Sequence, residues 1–148
     1  MPLIKRSALV NFSASQMYAL VDDIPAYPQF LPWCKTAQEH ARNEDEVRAS
    51  LEIARGGFQR AFTTQNRLQK DKIIEMRLIE GPFKHLQGFW RFEPLDECAC
   101  KVSLDIEFEF NSMLLALTLG PIFGQICNTL VDAFLARAKV VYDGKAQR

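Results

Sequence analysis

The stretch from Lys101 to Phe110 constrains the fold more than any other. Val102, Leu104, Ile106, Phe108 and Phe110 alternate without a break with Lys101, Ser103, Asp105, Glu107 and Glu109. A period of two is the repeat of a β-strand, whose successive side chains point to opposite faces, so this strand has one dry face and one wet face. A sheet built from such strands must cover its dry side with another element.

The other strands follow from the same period. Leu3 to Val10 reads as a first strand, apolar on both faces except at Lys5, Arg6 and Ser7. From Trp33 onward the alternation is sustained. Val47, Ala49, Leu51 and Ile53 share a face, and Gly56-Gly57 then makes a turn. Phe58, Arg60, Phe62, Thr64, Asn66 and Leu68 lie in register on the next strand, which Asp71-Lys72 ends. Ile74, Met76 and Leu78 line a further strand, Gly81-Pro82 breaks the run, and Leu86, Gly88, Trp90 and Phe92 share a face before a turn at Pro94 to Glu97. Short turns between consecutive strands mean antiparallel pairing.

Helices flank this block. Ser13 and Gln16 form a capping box, with Phe12 and Met17 placed as a hydrophobic staple, so a helix runs from Ala14 to Val21 or Asp22. Ile24 to Pro32 allows at most one short helix, with Pro25 at its first position. Met113 to Leu119 is an apolar segment interrupted by Gly120-Pro121. Beyond it Phe123, Ile126, Leu130, Phe134, Ala138 and Val141 recur at helical steps, with Asn128, Asp132, Arg137 and Lys139 off the stripe. A helix from Pro121 to Tyr142 would be about 33 Å long.

The expected class is therefore α+β: a curved antiparallel sheet of six to seven strands wrapped around one long C-terminal helix, as a single domain over residues 1–148. A helix about 10 Å across cannot fill the concave face of so wide a sheet. Large side chains fill the remainder, or a pocket is left. The chain has eleven Phe against three Tyr, which suits either a bulky core or a greasy cavity.

Charge and composition narrow the function. Apolar residues make up 48% of the 148 residues and charged residues 24%, and the formal net charge is zero, against a strong unspecific grip on DNA or an anionic surface. Cys34, Cys98, Cys100 and Cys127 form no C-x-x-C pair and His40 and His85 stand alone, so no structural metal is expected. No run of about 18 apolar residues occurs and the first ten residues lack a signal-peptide pattern, which places the chain in the cytosol. No G-x-S-x-G elbow, P-loop or G-x-G-x-x-G is present, and no catalytic residues are assigned. Asp22-Asp23 could act as an acid–base pair, but a solvated helix end accounts for them better.

Two segments carry a resemblance. Val21-Asp22-Asp23-Ile24-Pro25-Ala26-Tyr27-Pro28-Gln29-Phe30-Leu31-Pro32-Trp33-Cys34 resembles the signature of the START-like coenzyme Q-binding family, and Gly81-Pro82-Phe83-Lys84-His85-Leu86-Gln87-Gly88-Phe89-Trp90-Arg91-Phe92 resembles its second block. The similarity extends over essentially the whole chain. It implies a helix-grip fold with a hydrophobic tunnel; related START-like folds include cyclases, but with no catalytic motif in the chain no enzymatic role is expected. It implies ubiquinone or a similar polyprenyl lipid as a bound ligand rather than a cofactor, and a carrier role in respiration. The family also includes ribosome association toxins that bind the large ribosomal subunit and block subunit joining, which is the alternative function. The absence of a mitochondrial presequence points to a bacterial member, cytoplasmic and at most peripheral at the inner membrane.

The candidate ligand-binding residues follow from face and resemblance together. Tyr27, Phe30, Leu31 and Trp33 form either a lid over the tunnel or a fixed corner. Phe58, Phe62, Met76, Trp90, Phe92, Phe108 and Phe110 face inward from the sheet, and Phe123, Ile126, Leu130 and Phe134 from the last helix. Arg60, with Thr64 and Asn66, forms a polar patch inside the cavity, unless a bulge near Gly56-Gly57 turns Arg60 outward. Two basic groups could meet ribosomal RNA or merely keep the surface soluble: Arg55, Arg60, Arg67, Lys70 and Lys72 around one hairpin, and Arg137, Lys139, Lys145 and Arg148 at the C-terminal end.

Overall fold

The computed structural model describes residues 3–143. Seven strands form one antiparallel sheet: β1 (Leu3–Val10), β2 (Cys34–Arg42), β3 (Glu46–Arg55), β4 (Phe58–Gln69), β5 (Ile73–Glu80), β6 (Phe83–Asp96) and β7 (Ala99–Phe110). Their spatial order is β1-β7-β6-β5-β4-β3-β2, so six consecutive strands pair as a meander and β1 returns to the outer side of β7. The alternation expected of β7 is complete, with every even-numbered residue from Cys100 to Phe110 buried.

Between β1 and β2 stand α1 (Ala14–Asp22) and a short 3-10 helix (Ile24–Gln29). Both hydrogen bonds of the Ser13–Gln16 capping box form, at 3.1 and 2.9 Å, satisfying two backbone N–H groups that the first turn would leave open. Pro25 sits at the start of the 3-10 helix, where its missing N–H costs nothing. After β7 come α2 (Met113–Thr118) and α3 (Gly120–Ala138), followed by a π-helical turn over Lys139–Asp143.

α3 lies across the concave face and is the cover that the sheet requires. Its buried residues include Phe123, Ile126, Phe134 and Ala138, as the stripe predicts, but also Cys127 and Val131. A helix gripped by sheet, α1 and the 3-10 helix buries a wider arc than the narrow stripe. At its far end the Tyr142 hydroxyl donates to the Gln16 carbonyl at 2.8 Å, and the Phe12 and Tyr142 rings lie 5.9 Å apart. Arg6 of β1 donates to Asn128 of α3 at 3.0 Å, tying the opposite edge of the sheet to the helix.

Two aromatic groups fill much of the concave face. Near the start of α3, Phe123 is surrounded by Phe62, Phe83, Phe108 and Phe110, at ring-centroid distances of 6.2, 5.0, 4.8 and 6.1 Å. Further along, Phe134 meets Tyr27, Phe30 and Trp90 edge-on at 5.5, 5.2 and 5.3 Å.

The polar patch expected around Arg60 does not include Arg60. The β3–β4 ladder runs without a register shift from Glu46–Arg67 to Arg55–Phe58, so no bulge turns the residue. Arg60 keeps the inward phase, but β5 pairs with β4 only from Thr63 onward. The β3–β4 hairpin therefore projects past its neighbour and Arg60 stands exposed at the rim, with Phe58 only half-buried.

Candidate functional site

Between the two aromatic groups lies a cavity of about 70 Å³. Ile24 and Tyr27 of the 3-10 helix and Trp33 beyond it form one wall. Ala49 and Leu51 of β3, Phe62, Thr64 and Asn66 of β4, and Met76 of β5 form the floor, with Leu86 and Trp90 of β6 and Ile106 of β7 beside them. Phe123, Ile126, Cys127, Leu130 and Phe134 of α3 close it from above.

Around the cavity, small residues stand where neighbours are large. Gly88 faces inward between Met76 and Ile106, its ladder partners on β5 and β7. A β-carbon there would come 2.7 Å from Met76 Cε and 3.3 Å from Ile106 Cγ1. Ala49 is equally short and only 3% exposed. Elsewhere glycine serves the backbone instead: Gly56 and Gly57 both have positive φ, which the β3–β4 turn needs.

Among the described residues, no charged side chain lines the cavity. Its polar residues on the sheet are Thr64 and Asn66, 9% and 6% exposed. The Thr64 hydroxyl donates to Asn66 Oδ1 at 2.9 Å. In that arrangement Asn66 Nδ2 donates to no described residue and opens onto the cavity. An amide donor that faces a cavity and is engaged by no described residue can donate to an acceptor that enters.

The cavity's other protons are held fast. Burial pushes the Tyr27 phenol far above its usual value, reinforced by nearby Asp22, and its hydroxyl donates to the Val21 carbonyl. Burial also pushes the Cys127 thiol up to about 12. Both remain protonated near neutrality, so the lining can hydrogen-bond but holds no group poised for proton transfer or thiolate attack. Asp22 points away, paired with Arg42 at 3.0 Å, and Asp23 is exposed.

Of the residues expected at the site, Tyr27, Trp33, Phe62, Met76, Trp90, Phe123, Ile126, Leu130 and Phe134 line the cavity. Phe30, Leu31, Phe92, Phe108 and Phe110 do not. Phe30 packs on Phe134 beneath Arg137, whose guanidinium carbon is 5.0 Å from its ring centroid. Leu31 is 1% exposed and anchors its segment in the core. Phe92 sits behind Trp90 against Tyr18, while Phe108 and Phe110 belong to the aromatic group around Phe123. Phe58 and Arg60 lie at the rim. Ile24, Ala49, Leu51, Leu86, Ile106 and Cys127 complete the lining without having been singled out. Leu86 and Ile106 share the inward phase of Trp90 and Phe108, a signal that would have found them.

The basic residues do not form one patch. Arg55 ends β3 and Arg60 stands near the start of β4, whereas Arg67, Lys70 and Lys72 stand at or beyond the other end of β4, with about 23 Å between Arg60 and Arg67 at the rise of a strand. Arg137 donates to Gln29 at 2.8 Å and is held over Phe30. Lys139 is exposed, and Lys145 and Arg148 lie outside the described residues. Among the described residues no helix is long and apolar enough to cross a membrane, and no cluster of side chains is arranged to hold a metal.

The sequence and fold match known proteins along most of their length. Residues 10–135 match the family described as polyketide cyclase/dehydrase and lipid transport. The chain is 46% identical over 142 residues to the ribosome association toxin RatA of Vibrio cholerae, covering 96% of this chain and 99% of that one. It is 27% identical to the mitochondrial coenzyme Q-binding protein COQ10 of Drosophila melanogaster, over 90% of this chain and 57% of that one. The Zhui aromatase/cyclase of Streptomyces sp. R1128 superposes with a TM-score of 0.84 at 17% identity, covering 97% and 98% of the two chains, a likeness of fold. With a sheet gripping a long helix over an apolar cavity, and with these relatives, the chain belongs to the polyketide cyclase/dehydrase and lipid transport family.

Proposed function

We propose that residues 1–148 act as one domain whose cavity binds a hydrophobic ligand bearing a polar acceptor, with ubiquinone or a similar polyprenyl lipid the best candidate. The protein would serve as a carrier or chaperone supporting respiration rather than as an enzyme. The observation that carries this reading is the pairing of an uncharged apolar lining with one unengaged donor, Asn66 Nδ2, suited to a quinone carbonyl. The cavity of about 70 Å³ is smaller than the several hundred cubic ångströms usual for small-molecule sites. Binding therefore requires the Tyr27–Trp33 segment to part from Phe134, which makes that segment the lid. Solvent extraction of protein purified from a quinone-producing host, followed by mass spectrometry, should yield near-stoichiometric quinone. Protein that emerges empty and takes up no added quinone ends this reading.

A second reading is favoured by the relatives, since identity to a protein named for ribosome association is 46% against 27% for one named for coenzyme Q. In this reading the chain is cytoplasmic, meets the large ribosomal subunit and inhibits translation initiation by blocking subunit association. The interior ligand and the exterior partner use different surfaces, so one protein can do both. Sedimentation with isolated large subunits should show co-migration that weakens steeply with salt, and neutralising exposed Arg and Lys should weaken it further. Failure to co-migrate at low salt ends the second reading and leaves the first untouched.

A further inference from the structure

α2 carries an apolar surface that the fold does not use. Met113 is 77% exposed, and Leu114 and Leu117 are each 70% exposed. Positions i, i+1 and i+4 on one short helix form a contiguous outward triangle. On the inward side Leu115 packs partly against the core. The following Leu119 is fully buried, so α2 is anchored to the protein while its outer face packs against no described residue. Three large side chains held in water on one ordered turn mark an interaction surface rather than scattered exposure.

The surroundings specify the partner. No Asp, Glu, Lys or Arg occurs between Phe110 and Val131. The β3–β4 hairpin reaches the same end of the sheet, and a β-carbon on Gly56 would lie 3.6 Å from Ile122 Cδ1 on the first turns of α3. That contact sets the hairpin beside the start of α3, which α2 directly precedes, so Arg55 and Arg60 lie at the same end of the molecule as the apolar triangle. Both are exposed, neither makes an ion pair among the described residues, and Arg60 donates only to the neighbouring Gln59 carbonyl. By contrast Lys84, at the same end, is paired with Glu109 at 3.5 Å. Glu80, also at this end, lies on β5, the far side of β4 from Arg55.

We infer that α2 and the β3–β4 hairpin together dock the protein on an anionic lipid bilayer, with Met113, Leu114 and Leu117 inserted at the headgroup–acyl boundary and Arg55 and Arg60 against lipid phosphates. An uncharged apolar wedge beside free guanidiniums is the composition that lies in a membrane interface. Six residues cannot span a bilayer, so the contact is peripheral. This surface is separate from the cavity lining, and the inference stands whether or not the cavity binds a ligand.

The test is co-sedimentation of the full chain with unilamellar vesicles, one set of pure phosphatidylcholine and one with a third of its lipid as phosphatidylglycerol. The protein is expected to pellet with the anionic set and to be released by raised salt. The combined variant M113S/L114S/L117S should lose at least about tenfold in partitioning. Replacing Arg55 and Arg60 with Gln should cost about fivefold for each residue. Should the serine variant misfold, L117W serves instead, since its indole should be quenched by brominated acyl chains in anionic vesicles only. Absence of wild-type binding to anionic vesicles overturns the inference. So does a serine variant that is folded and binds equally well, or an α2-dependent dimer in sedimentation that ignores vesicles.

Discussion

The two halves of the concave face are packed by different rules. Towards the start of α3, the rings of Phe62, Phe83, Phe108 and Phe110 interlock around Phe123. On the β3–β5 side, Ala49, Thr64, Asn66 and Met76 are shorter or polar, and the cavity opens above them. Both halves lie under one helix and belong to one sheet. The difference shows that the fold does not dictate its own hollowness: residue size at a few inward positions decides where the core is solid.

That contrast can be broken at several points. The largest effect is expected at Phe123→Ala, which removes the hub of the solid half and should cost about 3–5 kcal/mol in urea unfolding. Leu130→Ala, over the hollow half, should cost less, nearer about 2 kcal/mol, because its side chain already borders empty space. Gly88→Val presses on the hollow half from the neighbouring strand β6. Its new methyls must displace Met76 and Ile106, so it should cost about 1–3 kcal/mol and abolish quinone uptake measured by extraction. Asn66→Leu combined with Thr64→Val replaces the polar pair by apolar groups of similar shape. Stability should stay within about 1 kcal/mol while affinity for a carbonyl-bearing ligand falls about tenfold, read by fluorescence titration.

The smallest effect is invisible at neutral pH. The Cys127 thiol is raised from 9.0 to about 12, so below pH 9 it is protonated in both folded and unfolded chains and contributes nothing to the pH dependence. Between those values only the unfolded chain releases the proton, and stability falls as pH rises. Cys34, raised to about 11, and Tyr18, raised to about 12, act in the same direction. Urea midpoints measured from pH 8 to 11 should decline, and Cys127→Ala should flatten the slope.

Most of the architecture was legible because its signals are local. The Ser13–Gln16 box, the glycine turn at Gly56-Gly57 and the alternation of β7 each report on neighbours in the chain. The cavity was legible only in part. Period two gives the face of a residue but not its distance along the strand from the covering helix. Phe58, Arg60, Phe92, Phe108 and Phe110 therefore had the right phase and the wrong position. Cys127 and Val131 escaped the helical stripe because the stripe assumes one packed side, whereas α3 is packed on several. The separation of Arg55 and Arg60 from Arg67, Lys70 and Lys72 was hidden because nearness in sequence is not nearness on a long strand.

The return of β1 to β7 also sets a schedule. Leu3 pairs with Glu107 and Val10 with Cys100, partners separated by ninety or more residues of chain. The helix that covers the concave face comes later still. During synthesis the meander β2 to β6 can assemble early, but its greasy side stays bare until α3 emerges. Long-range closure of this kind is slow, because loop entropy is lost before any contact rewards it. The nascent chain therefore exposes its stickiest surface from the emergence of β2 to β6 until α3 follows, and its yield in a cell depends on what shields that surface while it waits.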